Sequence, residues 1–242
     1  DLRYSLERAS ARETTARVAA ASICRKLLSE FGITVGSYVT EIGSVTADVT
    51  SIPIEERAAR AEQSDVRCPH PGSAEVMRTH IRETMEAKDT LGGVFEVVAL
   101  GVPPGLGSYV HWDRKIEGRL AQALLSIHAI KGAEVGTAFE NARRPGTGVH
   151  DEIFVEGDRV TRHTNRAGGT EGGITTGQPL ILRAAMKPLS TTLNPLRTVD
   201  LATGEPAPTK YERSDFCAVP RAAVVGEAMV AYVLADELLR KL

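Results

Sequence analysis

Five glycines and a cluster of lysine and hydroxyl side chains lie within residues 166–191. The glycines are Gly168, Gly169, Gly172, Gly173 and Gly177. Glycine tolerates positive φ and lets a backbone turn sharply or lie directly against a ligand. Lys187, Ser190 and Thr191 add a positive charge and two hydroxyls, which are suitable donors for a phosphate. The segment therefore predicts a site for a phosphate and a flat ring, although paired glycines also occur as simple turns or bulges.

Periodic apolar residues predict the elements that must position this segment. Ser10 and Glu13 match the capping-box pattern, so a helix is predicted from there to about Phe31, where Gly32 ends it. Further helices are predicted over residues 55–62, 73–87, 113–131 and 220–238, with Asp113 as the cap of the third and Gly132 as its stop. Strands are predicted over residues 33–42, 93–102, 134–141, 153–161 and 179–186.

The order of these elements favours an α+β fold in a single layered domain. Strands mix with long helices without the regular βαβ alternation of a doubly wound sheet. Gly92-Gly93-Val94, which leads into a strand, resembles Gly172-Gly173-Ile174. This similarity suggests an internal duplication.

Composition excludes several classes of protein. The net charge is -2, which argues against a nonspecific nucleic-acid binder. No apolar run approaches the ~20 residues of a membrane span. The 3 cysteines lack C-x-x-C spacing, so neither a disulfide framework nor a metal site is predicted, and a reducing cytoplasm is expected. Because Asp1 is not a methionine, we expect the original N-terminus to be missing.

Common catalytic motifs are also missing from the sequence. The glycine segment is not the G-x-G-x-x-G of a nicotinamide-binding Rossmann fold, since the apolar run after it looks extended and no acidic residue follows at the required place. The sequence contains no H-E-x-x-H, nucleophile elbow or Walker motif. Metalloprotease, serine hydrolase and P-loop chemistry are therefore disfavoured.

Five separated motifs, taken in order, resemble the chorismate synthase family. They are Arg8-Ala9-Ser10-Ala11-Arg12-Glu13-Thr14, His128-Ala129-Ile130-Lys131-Gly132, residues 165–173, residues 187–191, and Arg213-Ser214-Asp215-Phe216-Cys217. The resemblance covers essentially all 242 residues but corresponds to the later two-thirds of a usual family member. The family's N-terminal segment, with its Ser-His-Gly and Gly-His motifs and phosphate-binding arginines, is not in this sequence.

The resemblance implies an activity, a fold and a set of site residues. The activity is the 1,4-anti elimination that converts 5-enolpyruvylshikimate 3-phosphate to chorismate and phosphate in the shikimate pathway. This activity requires reduced FMN, although the reaction involves no net redox change. The sequence leaves open whether a dedicated NAD(P)H activity reduces the flavin. A β-α-β sandwich with antiparallel sheets and a homotetramer are implied too. The implied FMN contacts are Arg8, Ala9, Ser10, His128, Ala129, Gly172, Lys187, Pro188, Leu189, Ser190, Thr191 and Arg213, with Asp215 as the catalytic acidic residue near the flavin.

The chemistry of these residues agrees with that assignment. Loss of phosphate and a proton from opposite faces is unfavourable, so an electron-rich flavin is expected to stabilise the transition state. Asp215 is a carboxylate that could manage a flavin proton, while Arg213 either keeps it ionised or contacts an anionic group.

Simpler interpretations remain open for the same residues. Ser10 could be only a helix cap, His128 could favour a helix dipole, and Arg213 with Asp215 could form a surface ion pair of little energetic value. The corresponding alternative functions are a noncatalytic module that binds FMN or phosphate, and a structural assembly domain.

Overall fold

The structure of this chain is a computed structural model that describes residues 2–211 and 214–242. Its helices are α1 (Leu2–Ala9), α2 (Arg12–Glu30), α3 (Ile54–Ala61), α4 (Pro71–Glu86), α5 (Ile116–Leu125), α6 (Ala138–Asn141) and α7 (Val219–Leu239). Its strands are β1 (Thr34–Ile42), β2 (Val45–Thr46), β3 (Gly93–Leu100), β4 (Ile130–Val135), β5 (Phe154–Glu156), β6 (Arg159–Thr161), β7 (Thr170–Glu171), β8 (Ile174–Thr175), β9 (Leu180–Met186), β10 (Arg197–Val199) and β11 (Pro206–Pro208).

One five-stranded sheet, in the order β2-β1-β3-β9-β4, organises the fold. All four neighbouring pairs in it are antiparallel. The strand pairs β5–β6, β7–β8 and β10–β11 form separate two-stranded sheets. The predicted α+β class with antiparallel sheets is therefore confirmed.

Helix α7 forms the layer that covers one face of the sheet. Along β9, Leu180, Leu182, Ala184 and Met186 are buried while the intervening residues are more exposed, which is the alternation of a strand with one covered face. Helix α7 packs on β1 and β3, and α2 packs on α7. At Gly226 the helix lies so close to the sheet that an added Cβ would stand 2.6 Å from Phe95 Cε2.

A buried ionic network ties these layers together. The Glu227 carboxylate on α7 has a side chain only 4% exposed. It accepts hydrogen bonds from Arg25 Nη1 of α2 at 2.6 Å, Arg67 Nη2 at 2.8 Å and Ser37 Oγ of β1 at 2.6 Å. The two guanidinium groups compensate the carboxylate charge, so α2, β1 and α7 are held in one arrangement.

Most of the predicted elements are confirmed within a few residues. The strands predicted over 33–42, 93–102 and 179–186 correspond to β1, β3 and β9, and the helices predicted over 55–62, 73–87 and 220–238 correspond to α3, α4 and α7. The strand predicted over 153–161 is a hairpin, since Gly157 turns between β5 and β6 with φ +63°. The two similar glycine pairs begin different elements. Gly93 begins β3, whereas Gly172 and Gly173 form the β7–β8 turn.

The predicted helix over 113–131 is wrong in its last part, and the strand predicted over 134–141 is wrong in most of its length. Helix α5 ends at Leu125, and Ile130 already pairs with Met186 of β9 as the first residue of β4. Gly132 therefore lies inside a strand opposite Ala185. Isoleucines at 127 and 130 fit a helical period, but pairing with a neighbouring strand decides the outcome, and a sequence pattern does not contain that information.

The predicted capping box at the start of α2 is also wrong. Glu13 does not reach back to the helix start, because Arg17 Nε donates to its Oε1 at 2.8 Å. Ser10 Oγ accepts a hydrogen bond from the Arg12 amide, at 3.3 Å, and from no other group in the described part of the chain. Since α1 precedes this point, Ser10 lies at a junction between two helices and not at the end of a loop.

Candidate active site

A cavity of about 650 Å³ lies where four chain segments converge. They are the α1–α2 junction, the α5–β4 turn, the segment after β9 and the segment before α7. The lining residues are Leu6, Ala9, Ser10, Ala11, His128, Ala129, Met186, Leu189, Thr191, Ser214, Asp215 and Ala218. The volume is in the range of small-molecule and cofactor sites, and the lining combines apolar side chains with a few polar groups.

Strand register explains why two of these segments meet. Met186, the last residue of β9, pairs with Ile130 at the start of β4 and with Gly93 at the start of β3. The residues after β9 and those before β4 must therefore lie at the same end of the strands. The segment before α7 joins them there, since the Leu91 amide donates to Phe216 O at 2.8 Å.

Gly92 permits this close approach of backbones. A Cβ at this position would stand 2.3 Å from Met186 O and 2.9 Å from Pro188 N. Any side chain here would push the segment after β9 away from β3, so glycine is required on steric grounds.

The turn between α5 and β4 has an unfavourable backbone conformation. Ala129 has φ +64°, a left-handed value that is uncommon for a residue with a Cβ. Its carbonyl accepts the Lys187 amide at 3.0 Å, which joins the turn to the segment after β9. His128 Nε2 lies 3.2 Å from Arg8 O, and because a carbonyl only accepts, Nε2 carries the hydrogen. Strain of this kind often marks a functional site.

Two side chains fix the segment 187–191. Thr90 Oγ1 donates to Leu189 O at 2.6 Å, and Ser214 Oγ donates to Thr191 O at 3.0 Å. Leu189 and Thr191 then face the cavity. Lys187, Pro188 and Ser190 are exposed and are not among the residues that line it.

Asp215 lines the cavity and forms an ion pair with Arg221 of α7. Arg221 Nη1 donates to Asp215 Oδ2. The predicted partner, Arg213, lies outside the described residues. Beside this carboxylate, burial raises the pKa of the Cys217 thiol and the charge of Asp215 adds to that shift, so the thiol stays protonated at neutral pH.

The β7–β8 turn with Gly172 lies apart from the cavity. Gly173 O accepts a hydrogen bond from the amide of Ile116 at the start of α5, whereas the cavity lies beyond the other end of that helix.

Asp151 fixes the segment before the β7–β8 turn through hydrogen bonds. Its carboxylate accepts Thr164 Oγ1 at 2.5 Å and the amides of Arg166 and Ala167 at 2.9 Å each.

Comparison with known proteins identifies the family. The sequence model of the family described as Chorismate synthase matches residues 1–239. The chain belongs to the chorismate synthase family. A crystal structure titled as chorismate synthase superposes with a TM-score of 0.84 at 50% identity, covering 100% of this chain and 67% of that one.

Curated relatives named chorismate synthase share about half of the residues. The protein of Aquifex aeolicus is 55% identical over 251 residues, and that of Salinibacter ruber is 52% identical over 257 residues. Each alignment covers 100% of this chain, but only 63% and 64% of the relative. The chain thus spans less than two-thirds of the length of these relatives.

The cavity brings together many of the residues that the chorismate synthase resemblance implies. Those that line it are Ala9, Ser10, His128, Ala129, Leu189, Thr191 and Asp215. Arg8 does not line the cavity, but its carbonyl contacts His128, which does. Gly172 does not line the cavity.

The sequence interpretation missed other residues of the site. Arg221 was missed because its pairing with Asp215 depends on where α7 begins. Met186 and Ala218 also line the cavity. Met186 could have been found from the strand pattern, since the last residue of a central strand leads directly to the edge where the predicted site lies.

Proposed function

We propose that the protein to which this chain belongs converts 5-enolpyruvylshikimate 3-phosphate to chorismate and phosphate, with reduced FMN bound in the cavity. The observation that carries the proposal is the convergence of Ala9, His128, Leu189, Thr191 and Asp215 on one cavity of about 650 Å³. These residues come from distant parts of the sequence, and the family resemblance implied each of them separately.

The residues of the cavity fit a flavin. Ala9, Ala129, Leu189 and Met186 give apolar surface against which a flat ring can pack. Thr191, which lines the cavity, and Lys187, which belongs to the same segment, carry suitable donors for a phosphate. The left-handed Ala129 keeps its backbone close to the cavity, where a longer side chain would take up ring space.

The reaction breaks the C–O bond to phosphate, which leaves with the electron pair of that bond. It also breaks a C–H bond, whose proton passes to a base while its electron pair adds one C=C bond. Reduced FMN, when bound, supplies electron density to the reacting allylic centre and is unchanged at the end. Asp215 lines the cavity with a carboxylate that can accept or release a proton.

A homotetramer in the cytoplasm is part of the same proposal. Exposed apolar side chains support self-association, notably Val155 and Val160 on the β5–β6 hairpin, at 74% and 71% exposure, and Leu201 at 94%. Light scattering of the full-length protein after size-exclusion chromatography is expected to give the mass of four copies. A monomeric mass would contradict this assignment.

Cavity filling gives a direct test of where the flavin binds. We expect Ala9→Phe to abolish binding of reduced FMN and chorismate formation by the full-length protein, because the ring would occupy the cavity. Ala202→Phe, in the exposed β10–β11 turn, is the matched control and should retain both. Normal chorismate formation by Ala9→Phe would show that the flavin binds elsewhere.

A further inference from the structure

An ion pair lies in the first two turns of α2, shortly after the cavity-lining residues Ser10 and Ala11. Arg17 Nε donates to Glu13 Oε1 at 2.8 Å, one helical turn away. Both side chains are about three-quarters buried, at 24% and 25% exposure. The pair Glu56 and Arg60 on α3 has the same spacing but is half exposed. The difference in burial indicates that Glu13 and Arg17 have further contacts.

Arg17 extends from this pair to the end of α5. Its Nη1 donates to Ser126 Oγ at 2.8 Å and lies 3.4 Å from Ser126 O. Ser126 is the C-cap residue directly after α5, and it lies two residues before His128. Arg17 therefore joins α2 to the turn that forms one wall of the cavity.

The turn needs such a restraint because its conformation is intrinsically unfavourable. Ala129 has φ +64°, and a Cβ makes left-handed values unfavourable. Within the turn itself, Ile130 N donates to Ile127 O at 3.2 Å. Restraint from outside comes from the Lys187 amide on one side and from Arg17 on the other. Over-determination by the surroundings is what keeps a strained residue in place.

Glu13 keeps Arg17 in this orientation as a charged carboxylate. The hydrogen bond from Arg17 lowers the pKa of Glu13 against the opposing effect of burial, with smaller contributions from the charges of Arg17, His128 and Arg8. Its other oxygen, Oε2, is buried without a partner among the residues that the structure describes. Among the described residues, the hydrogen bond that this carboxylate accepts therefore comes from Arg17.

We infer that Arg17, held by Glu13, is a positioning residue for the flavin. It touches no ligand itself. It keeps residues 126–129 in the left-handed turn that presents His128 and Ala129 to the cavity. The inference rests on the proposed function only in naming FMN as the ligand, since the restraint on the turn is a property of the chain.

The first test compares Arg17→Met in two backgrounds of the full-length protein. Methionine retains much of the apolar stem but removes the donors. In the otherwise unchanged protein, we expect the Kd for reduced FMN to rise about tenfold, because the turn can relax out of its left-handed form. In the Ala129→Gly background, glycine accepts the same φ without strain, so the same substitution should raise Kd by less than about threefold.

Arg60→Met provides the matched control, since it breaks an ion pair of the same spacing away from the cavity. We expect no change in Kd from it. An equal effect of Arg17→Met in both backgrounds, or an effect no larger than that of Arg60→Met, would overturn the inference. A general loss of folding is detected separately, because it would lower the melting temperature and would not be rescued by Ala129→Gly.

The second test needs no ligand and separates this inference from the proposed function. Hydrogen–deuterium exchange is measured on peptides that contain the Lys187 and Ile130 amides, which donate within and around the turn. Arg17→Met should speed their exchange several-fold while Arg60→Met leaves it unchanged. Unchanged exchange in Arg17→Met would refute the positioning role. If exchange changes as expected but reduced FMN does not bind even the unsubstituted protein, the FMN proposal fails while the restraint by Arg17 stands.

Discussion

At the scale of single residues, Asp215 is the group on which the proposed chemistry depends most. It lines the cavity, and its partner Arg221 is 75% exposed, so their ion pair contributes little to stability. We predict that Asp215→Asn in the full-length protein lowers turnover by about 10- to 1000-fold, because the amide cannot accept a proton. Flavin affinity and melting temperature should be nearly unchanged.

Steady-state kinetics of chorismate formation and a thermal melt check this prediction together. Normal turnover would remove Asp215 from the mechanism. A parallel loss of stability and activity would favour the simpler interpretation, in which the carboxylate serves only a local ion pair.

Asp151 has the opposite character, because its carboxylate organises backbone. Burial alone would raise its pKa, but hydrogen bonds from Thr164 and the amides of Ala167 and Arg166 lower it below the ordinary value. We predict that Asp151→Asn lowers the free energy of unfolding by about 2–3 kcal/mol at pH 7, because an amide nitrogen would face a backbone donor. Asp158→Asn, in an exposed turn, should have almost no effect.

The effect of Asp151 should also depend on pH. A depressed pKa in the folded state stabilises the protein above the pKa of the unfolded state, about 4, and this stabilisation is lost as pH falls through the folded-state pKa. Denaturant unfolding at a series of pH values should therefore show the difference between the two proteins shrinking below about pH 4. If the difference in unfolding free energy between Asp151→Asn and the unsubstituted protein stayed constant well below pH 4, it would contradict a stabilising role for the ionised Asp151 carboxylate.

At the scale of elements, the contact between α7 and β3 depends on a helical glycine. Gly226→Ala would place a Cβ 2.6 Å from Phe95 Cε2 and 3.0 Å from Val97 Cγ2. We predict a loss of about 1–3 kcal/mol from overpacking, despite the better helix propensity of alanine. Gly118→Ala in α5 is the matched control, since its nearest neighbour is Trp112 O at 3.9 Å, and it should stabilise by about 0.5–1 kcal/mol.

Denaturant unfolding of both variants measures whether each substitution lowers or raises the free energy of unfolding. Stabilisation by Gly226→Ala would show that α7 can move away from the sheet at little cost, which the observed packing contradicts.

Some of these elements could be predicted from the sequence and others could not. Strands β1 and β9 were predicted because their residues alternate or are β-rich between clear turn signals. The end of α5 was not predicted, since the residues after Leu125 continue a helical pattern, and only the pairing of Ile130 with Met186 makes the residues from 130 onward a strand. The site shows the same limit. Residues within a motif were found, whereas the partners Arg221 and Arg17 depend on how α7 and α2 pack.

At the scale of the whole molecule, the chain spans 63% of the Aquifex aeolicus relative. The family resemblance implies that acid–base histidines lie in the segment not matched here. We predict that the 242-residue chain alone has no measurable turnover, since loss of a general acid lowers rates by about 10²- to 10⁴-fold. Fusion to the unmatched N-terminal segment of that relative should restore it. Chorismate formation by the chain alone, with reduced FMN under anaerobic conditions, would show that an internal residue supplies the proton.

In the proposed function, the cavity binds reduced FMN for the elimination. The most direct measurement is an anaerobic titration of the full-length protein with oxidised and with reduced FMN, each with and without 5-enolpyruvylshikimate 3-phosphate. Because catalysis requires stabilisation of an electron-rich flavin beside an electron-poor reacting centre, we predict weak binding of oxidised FMN and much tighter binding of reduced FMN with the substrate. Equal affinity for both redox states, or no binding at all, would contradict a role for reduced FMN in this cavity.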